Sequence, residues 1–122
     1  MRRAIGFGFS GVVVIVIGRM AATGRLPRNL FAGIRLPSTM RSDEAWTCGH
    51  RAAGSALTAA GVGPVVAAVF VAAKNPGREA ETKLLRIGNC WLLAWLGLAT
   101  VQASRAARAA QAALEDTAAA RP

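Results

Sequence analysis

The chain alternates between long apolar stretches and short blocks that hold nearly all of its charge. Residues 4–18, 52–73 and 87–103 contain no Asp, Glu, Lys or Arg. The second run has 22 residues, about 33 Å as a helix, against a hydrocarbon core of roughly 30 Å. The first extends to residue 22 once the long stem of Arg19 bends back to the interface. The third begins at residue 84 if Arg86 does the same. A bilayer offers nothing to pair with open backbone groups, so each run is predicted to be a helix. The pattern predicts an all-α membrane protein with three up-down spans. They lie at residues 4–22, at the apolar end of 43–73 and at 84–103, with a structured polar loop between the first two.

The polar blocks have their own grammar. Residues 23–42 hold Gly24, Pro27, Gly33 and Pro37, which discourage a long helix and predict an irregular loop. Ser42-Asp43-Glu44 then reads as a helix start, a hydroxyl cap followed by two acids at the positive end of the dipole. No proline follows until Pro64, so one helix is predicted to start in water at Asp43 and enter the bilayer, kinking at Pro64. Trp46 on it is expected at head-group depth. Gly54, Ser55, Ala59, Gly61 and Gly63 give it a narrow flank suited to close helix contact. Residues 74–83 read as a turn and a short charged segment. Residues 104–122 read as an alanine-rich tail, helical at first and free to fray beyond Asp116. Residues 1–122 together make a single membrane domain.

Composition agrees with spans rather than a soluble core. The hydrophobic fraction is 53%, only 17% of residues are charged and mean hydropathy is +0.36; a soluble chain of this size has too little interior for that. The first run also has the outline of a signal peptide, but Met20 would occupy the −3 position of its cleavage site with Arg19 just before it. The net charge of +9 would suggest nucleic acid in a soluble protein. Here the cations flank the apolar runs without interleaved aromatics, so anionic lipid head groups are the expected partner and nucleic acid is not. With three spans, six cations share the face of residues 74–86 and the N-terminus, and nine share the face of residues 23–51 and the tail. The positive-inside rule places the second face in the cytoplasm.

Little in the chain points to chemistry. No carboxylate lies in a span, as an ion-coupled transporter would usually require. No phosphate loop or nucleophile–base set is visible. Cys48 and His50 could supply two metal ligands, but nothing near them completes a four-ligand set; no cofactor, metal or catalysis is expected. Cys48 and Cys90 would lie on the order of 20 Å apart, which predicts free thiols. Trp91 and Trp95, four residues apart, are expected to serve packing.

The polar block does carry a recognisable pattern. Asn29, Gly33-Ile34-Arg35, Pro37, Thr39, Trp46, His50-Arg51 and Gly54 stand in the order and spacing of the signature of the SdpI family of bacterial membrane proteins, which this stretch resembles. In that family an N-x-x-x-G-I/Y-R-x-P/S-x-T block follows one span and a W-x-x-x-N/H-R-x-x-G block leads into the next. His50 stands where many members carry asparagine. The founding member is similar only across its C-terminal half; it confers immunity to a secreted peptide toxin and sequesters a transcriptional repressor at the membrane. The resemblance implies an inner-membrane protein with a cytoplasmic signature loop and a role in immunity or signalling.

The residues themselves fit such a loop. Arg35 offers a planar donor fork to a carboxylate or phosphate, Gly33 lets the backbone turn or approach closely, and Asn29 and Thr39 can fold the loop onto its own backbone. Arg35 is expected to fold back on the helix start, bonding Asp43, Glu44 or backbone carbonyls near them. Asn29, Gly33, Arg35, Thr39, Trp46, His50, Arg51 and Gly54 are therefore the candidate partner-binding or loop-structuring residues. The block is either a folded cap over the helices or a docking surface for a protein partner. A subunit of a larger membrane complex and a homo-oligomeric pathway for small solutes or ions are the alternative functions.

Overall fold

The structure is a computed structural model and describes residues 1–29 and 31–121. Three helices follow in order, α1 (Arg2–Ala22), α2 (Asp43–Lys74) and α3 (Arg78–Ala119). Each is long and apolar enough to cross a membrane, and among the described residues there is no strand. Large apolar side chains point outward along all three, among them Ile5, Phe9, Val66, Val69, Ile87 and Leu93. Water would penalise such a surface; hydrocarbon does not.

α2 is the centre of the packing. α1 and α3 each lie along it and scarcely touch one another. Along the first interface Gly8 meets Ala68, Gly11 meets Gly61 and Pro64, Gly18 meets Thr58, and Ala22 meets Gly54. Positions rising on α1 therefore meet positions falling on α2. The second interface runs the same way, with Gly49 against Ala103, Gly63 against Trp91, and Ala67 against Gly88. The closest approach is at Gly61, where a Cβ would overlap the carbonyl oxygen of Gly11 and lie 2.7 Å from Ile15 Cγ1. Hydrocarbon supplies no hydrophobic drive between helices, so this backbone-to-backbone proximity is the main source of their attraction.

The small residues of α2 do not form one flank, as their sequence clustering suggests. Gly54 and Gly61 face α1, Gly63 faces Trp91 of α3, and Ser55 is exposed. A helix held between two neighbours needs two narrow sides. α2 begins at Asp43, where the Ser42 hydroxyl accepts the Ala45 N–H at 3.0 Å, and it runs on through Pro64 to Lys74.

α3 differs most from the pattern read in the sequence. It starts at Arg78 and ends at Ala119, spanning 42 residues, so it absorbs most of the predicted 74–83 turn and of the 104–122 tail. Glu79 and Glu81 lie in its first turn, where the dipole favours acids, and Lys83 pairs with Glu79 at 2.7 Å. At the other end alanine-rich sequence is intrinsically helical. Packing adds to it: Ala99, Ala103 and Ala107 are fully buried.

Candidate functional site

The hydrophobic core sits at the end of the molecule where α1 ends, α2 begins and α3 extends. Leu26, Trp46, Ala53, Leu57, Ala99 and Ala103 form it, with Ile34 and Met40 packed on it from the loop. Three apolar side chains of the 23–42 loop thus point down into the helices. Its polar groups are bonded partly within the loop and partly by side chains of α2 and α3.

Asn29 folds the first corner. Its Oδ1 accepts the N–H groups of Phe31 and Ala32, both at 2.8 Å, while its Nδ2 donates to Pro27 O at 2.7 Å. Thr39 closes the second corner: its hydroxyl accepts the Leu36 N–H at 2.9 Å and donates to Ile34 O at 2.7 Å. The Met40 N–H completes that turn on Leu36 O at 3.0 Å. Thr39 is fully buried, so its hydroxyl takes the place of water for backbone that has none.

His50 and Trp46 join the loop to α2. The two rings stack with centroids 4.0 Å apart and an interplanar angle of 29°. The Trp46 indole N–H donates to Leu26 O at 2.8 Å. His50 Nε2 accepts the Ile34 N–H at 2.8 Å, and its Nδ1 lies 2.9 Å from Trp46 O. A backbone N–H can only donate and a carbonyl can only accept. The imidazole is therefore neutral, with its proton on Nδ1. Burial pushes its pKa below the ordinary value, although the bond to Trp46 O works the other way. Both ring nitrogens are thus engaged, Nε2 by the loop and Nδ1 by the helix itself, which leaves neither for a metal alongside Cys48. Cys48 itself donates to Glu44 Oε1 at 3.4 Å, and both cysteines are free.

Gly33 is the point where this assembly tolerates nothing larger. Its φ is +106°, and a Cβ there would come within 2.6 Å of His50 Nε2 and 3.0 Å of the Trp46 ring. Conformation and space both demand glycine. Gly54, one turn beyond His50, lies against the backbone of Ala22 and so anchors the end of α1. Arg51 is exposed and runs its side chain past Gly24.

One expectation changes. Trp46 is only 1% exposed: it is a buried pillar of the loop rather than an interfacial side chain, because the loop and α3 cover it. The acid at the start of α2 pairs with Arg28, whose Nε lies 3.0 Å from Asp43 Oδ1 while its Nη1 donates to Met40 O at 3.0 Å.

The α3 extension is the part of the site that no motif marked. Ser104 and Gln111 reach Ser38 and Ser42 of the loop at 3.5 and 3.4 Å. Ala103 and Ala107 pack beneath Gly49. Between Pro37, Ser38 and Arg41 on the loop and Arg108 and Gln111 on α3 lies a cleft of about 280 Å³. The four-residue spacing of Ala99, Ala103 and Ala107 was the available signal. In a chain so rich in alanine it did not stand out.

One side chain of the loop is not drawn in. Phe31 is 94% exposed, although it lies two residues from the Asn29 corner and two from Gly33. Of the candidate residues, the structure brings Asn29, Gly33, Thr39, Trp46 and His50 into one hydrogen-bonded and stacked unit.

No curated protein and no solved structure matches the chain. The family model for the SdpI/YfhL protein family matches residues 25–104, a span that takes in the loop, all of α2 and the membrane-crossing part of α3. With most of its length inside that match and its folded loop built from the residues of the signature, the chain belongs to the SdpI/YfhL family of membrane proteins.

Proposed function

We propose that this is a non-enzymatic protein of the bacterial inner membrane that acts in toxin immunity or signalling, through protein contacts made by residues 29–54. The observation that carries the proposal is the setting of Phe31. A loop cross-braced by Asn29, Thr39 and His50 is rigid, yet it presents a large aromatic ring almost entirely to the outside. A rigid aromatic binds at little entropic cost, as anchors of protein interfaces do. Arg41 and Arg108, beside the cleft between the loop and α3, suit an acidic rim on the partner.

The Phe31→Ala variant is expected to melt within about 2 °C of wild type in detergent, since an exposed side chain contributes little to stability. It should lose at least about tenfold in capture of a partner from the native host membrane or cytosol. Identical sets of captured proteins from both forms would remove the docking role and leave the loop as a structural cap.

The same proposal places the loop in the cytoplasm, from the nine cations on its side of the chain and the family resemblance. A reporter fused at Arg121 is then expected to report cytoplasm and one at Gly77 the outside. The reverse result at both would exclude a cytosolic partner.

A further inference from the structure

The opposite end of the molecule holds a second feature, unrelated to the signature. Where α1 and α3 begin they stand apart over α2, and the gap is a cavity of about 880 Å³. Arg2 and Arg3 line it from α1, and Arg78 and Arg86 line it from α3. Among the described residues none of these four guanidinium groups has an ion pair or a side-chain hydrogen bond. The one carboxylate on the wall, Glu81, is already bonded to the Met1 amino group at 3.2 Å. Four like charges round one cavity repel each other, and nothing of the chain's own neutralises them. Such a ring of donor forks suits an anionic ligand.

The cavity also says which kind. Its wall includes the apolar side chains of Phe7 and Leu85 beside Thr82, Asn89 and Cys90, and the Phe7 ring lies beside Gly88. Arg86 stands eight residues beyond Arg78, about 12 Å further along α3, so the positive charge reaches from the end of the helix to the level of its first apolar turns. A small soluble anion would use the guanidinium groups and leave the apolar wall wet. A phospholipid uses both, because its phosphate can take the planar donor forks while its acyl chains follow Phe7 and Leu85 into the gap between α1 and α3. We infer that the cleft between the starts of α1 and α3 is a binding site for an anionic phospholipid. Its head group is held by Arg2, Arg3, Arg78 and Arg86, and its chains lie between the two helices.

The test uses the full chain purified in mild non-ionic detergent, with lipid retention read by native mass spectrometry and stability by thermal melting. Phosphatidylglycerol is expected to be retained at least about tenfold over phosphatidylcholine and to raise the melting temperature, whereas glycerol phosphate at the same concentration should do neither. The Arg3→Gln/Arg86→Gln double variant should lose about tenfold in phosphatidylglycerol retention. Arg105→Gln/Arg121→Gln, which removes the same charge from the other end, should keep it. Equal retention of the two lipids by the wild type would overturn the site, and that measurement stands even if the double variant fails to fold. A stabilisation by glycerol phosphate equal to that of the lipid would identify a soluble-anion site instead. Equal losses in the two double variants would reduce the preference to diffuse charge and remove the site as well.

Discussion

Gly61→Leu is expected to leave little folded protein in detergent. A Cβ at residue 61 would clash with the carbonyl oxygen of Gly11 and press on the backbone nitrogen of Ile15 at 2.9 Å. Neither is the flexible end of a side chain. Relief requires α1 to move off α2 as a body, and the loss of that interface also takes away Gly18 against Thr58 and Gly54 against Ala22. Overpacking at a site that can yield costs about 1–3 kcal/mol; here the cost should exceed about 3 kcal/mol, because the obstruction is main chain on both sides. Gly97→Leu is the matched control. Nothing lies within 4 Å of a Cβ at that position, so the same substitution should change the melting temperature by no more than about 2 °C. Size-exclusion profiles and melting curves of the two variants decide it, and similar behaviour of both would show that α1 is not held by close contact at Gly61.

His50→Ala should be nearly as damaging, for a different reason. It leaves the Ile34 N–H without its acceptor, takes the second donor from Trp46 O and removes the ring stacked on the indole. A buried polar group without a partner costs about 1–3 kcal/mol and the cavity adds to it, so a loss on the order of 3 kcal/mol is expected. The wild type should also show a pH dependence with a definite sign. Because burial lowers the pKa of His50 in the fold, the unfolded chain takes up the proton first as pH falls. The contribution of the neutral ring is fully present above about pH 6.5, the ordinary imidazole value, and is lost as pH drops toward and through the folded value. Protonation would put a hydrogen on Nε2, facing the Ile34 N–H that it now accepts. His50→Gln keeps an acceptor near that position without titrating. Its melting temperature should start lower than that of wild type but change less between about pH 7 and pH 5. A wild-type melting temperature that stays flat or rises on acidification would contradict the assigned tautomer.

What could be read from the sequence depended on whether the signal was local. The three apolar runs are contiguous, and the bilayer leaves them one backbone solution; the Ser42 start of α2 is set by four consecutive residues. Asn29 and Thr39 bond backbone two to five residues away, so their roles follow from residue type in a loop. The remainder rests on what covers what. Trp46 near the start of a membrane helix reads as interfacial until Leu26 and α3 are known to close over it. Asp43 has several arginines within reach along the chain, and only the path of the loop selects Arg28. The docking of residues 104–111 was hidden because alanine at every fourth position serves an isolated helix as well as a packed one.

α3 is one unbroken helix of 42 residues, about 63 Å long, roughly twice the thickness of a hydrocarbon core. One end borders the arginine-lined cleft and the other is fastened to the signature loop through Ser104 and Gln111. No proline interrupts it, so it behaves as a lever with its fulcrum along α2. A change in tilt of about 10° pivoting near the middle would swing each end by about 5 Å, more than the length of any hydrogen bond that fastens the loop. Bilayer thickness and whatever occupies the cleft therefore bear mechanically on a loop at the far side of the membrane, with no change of fold required.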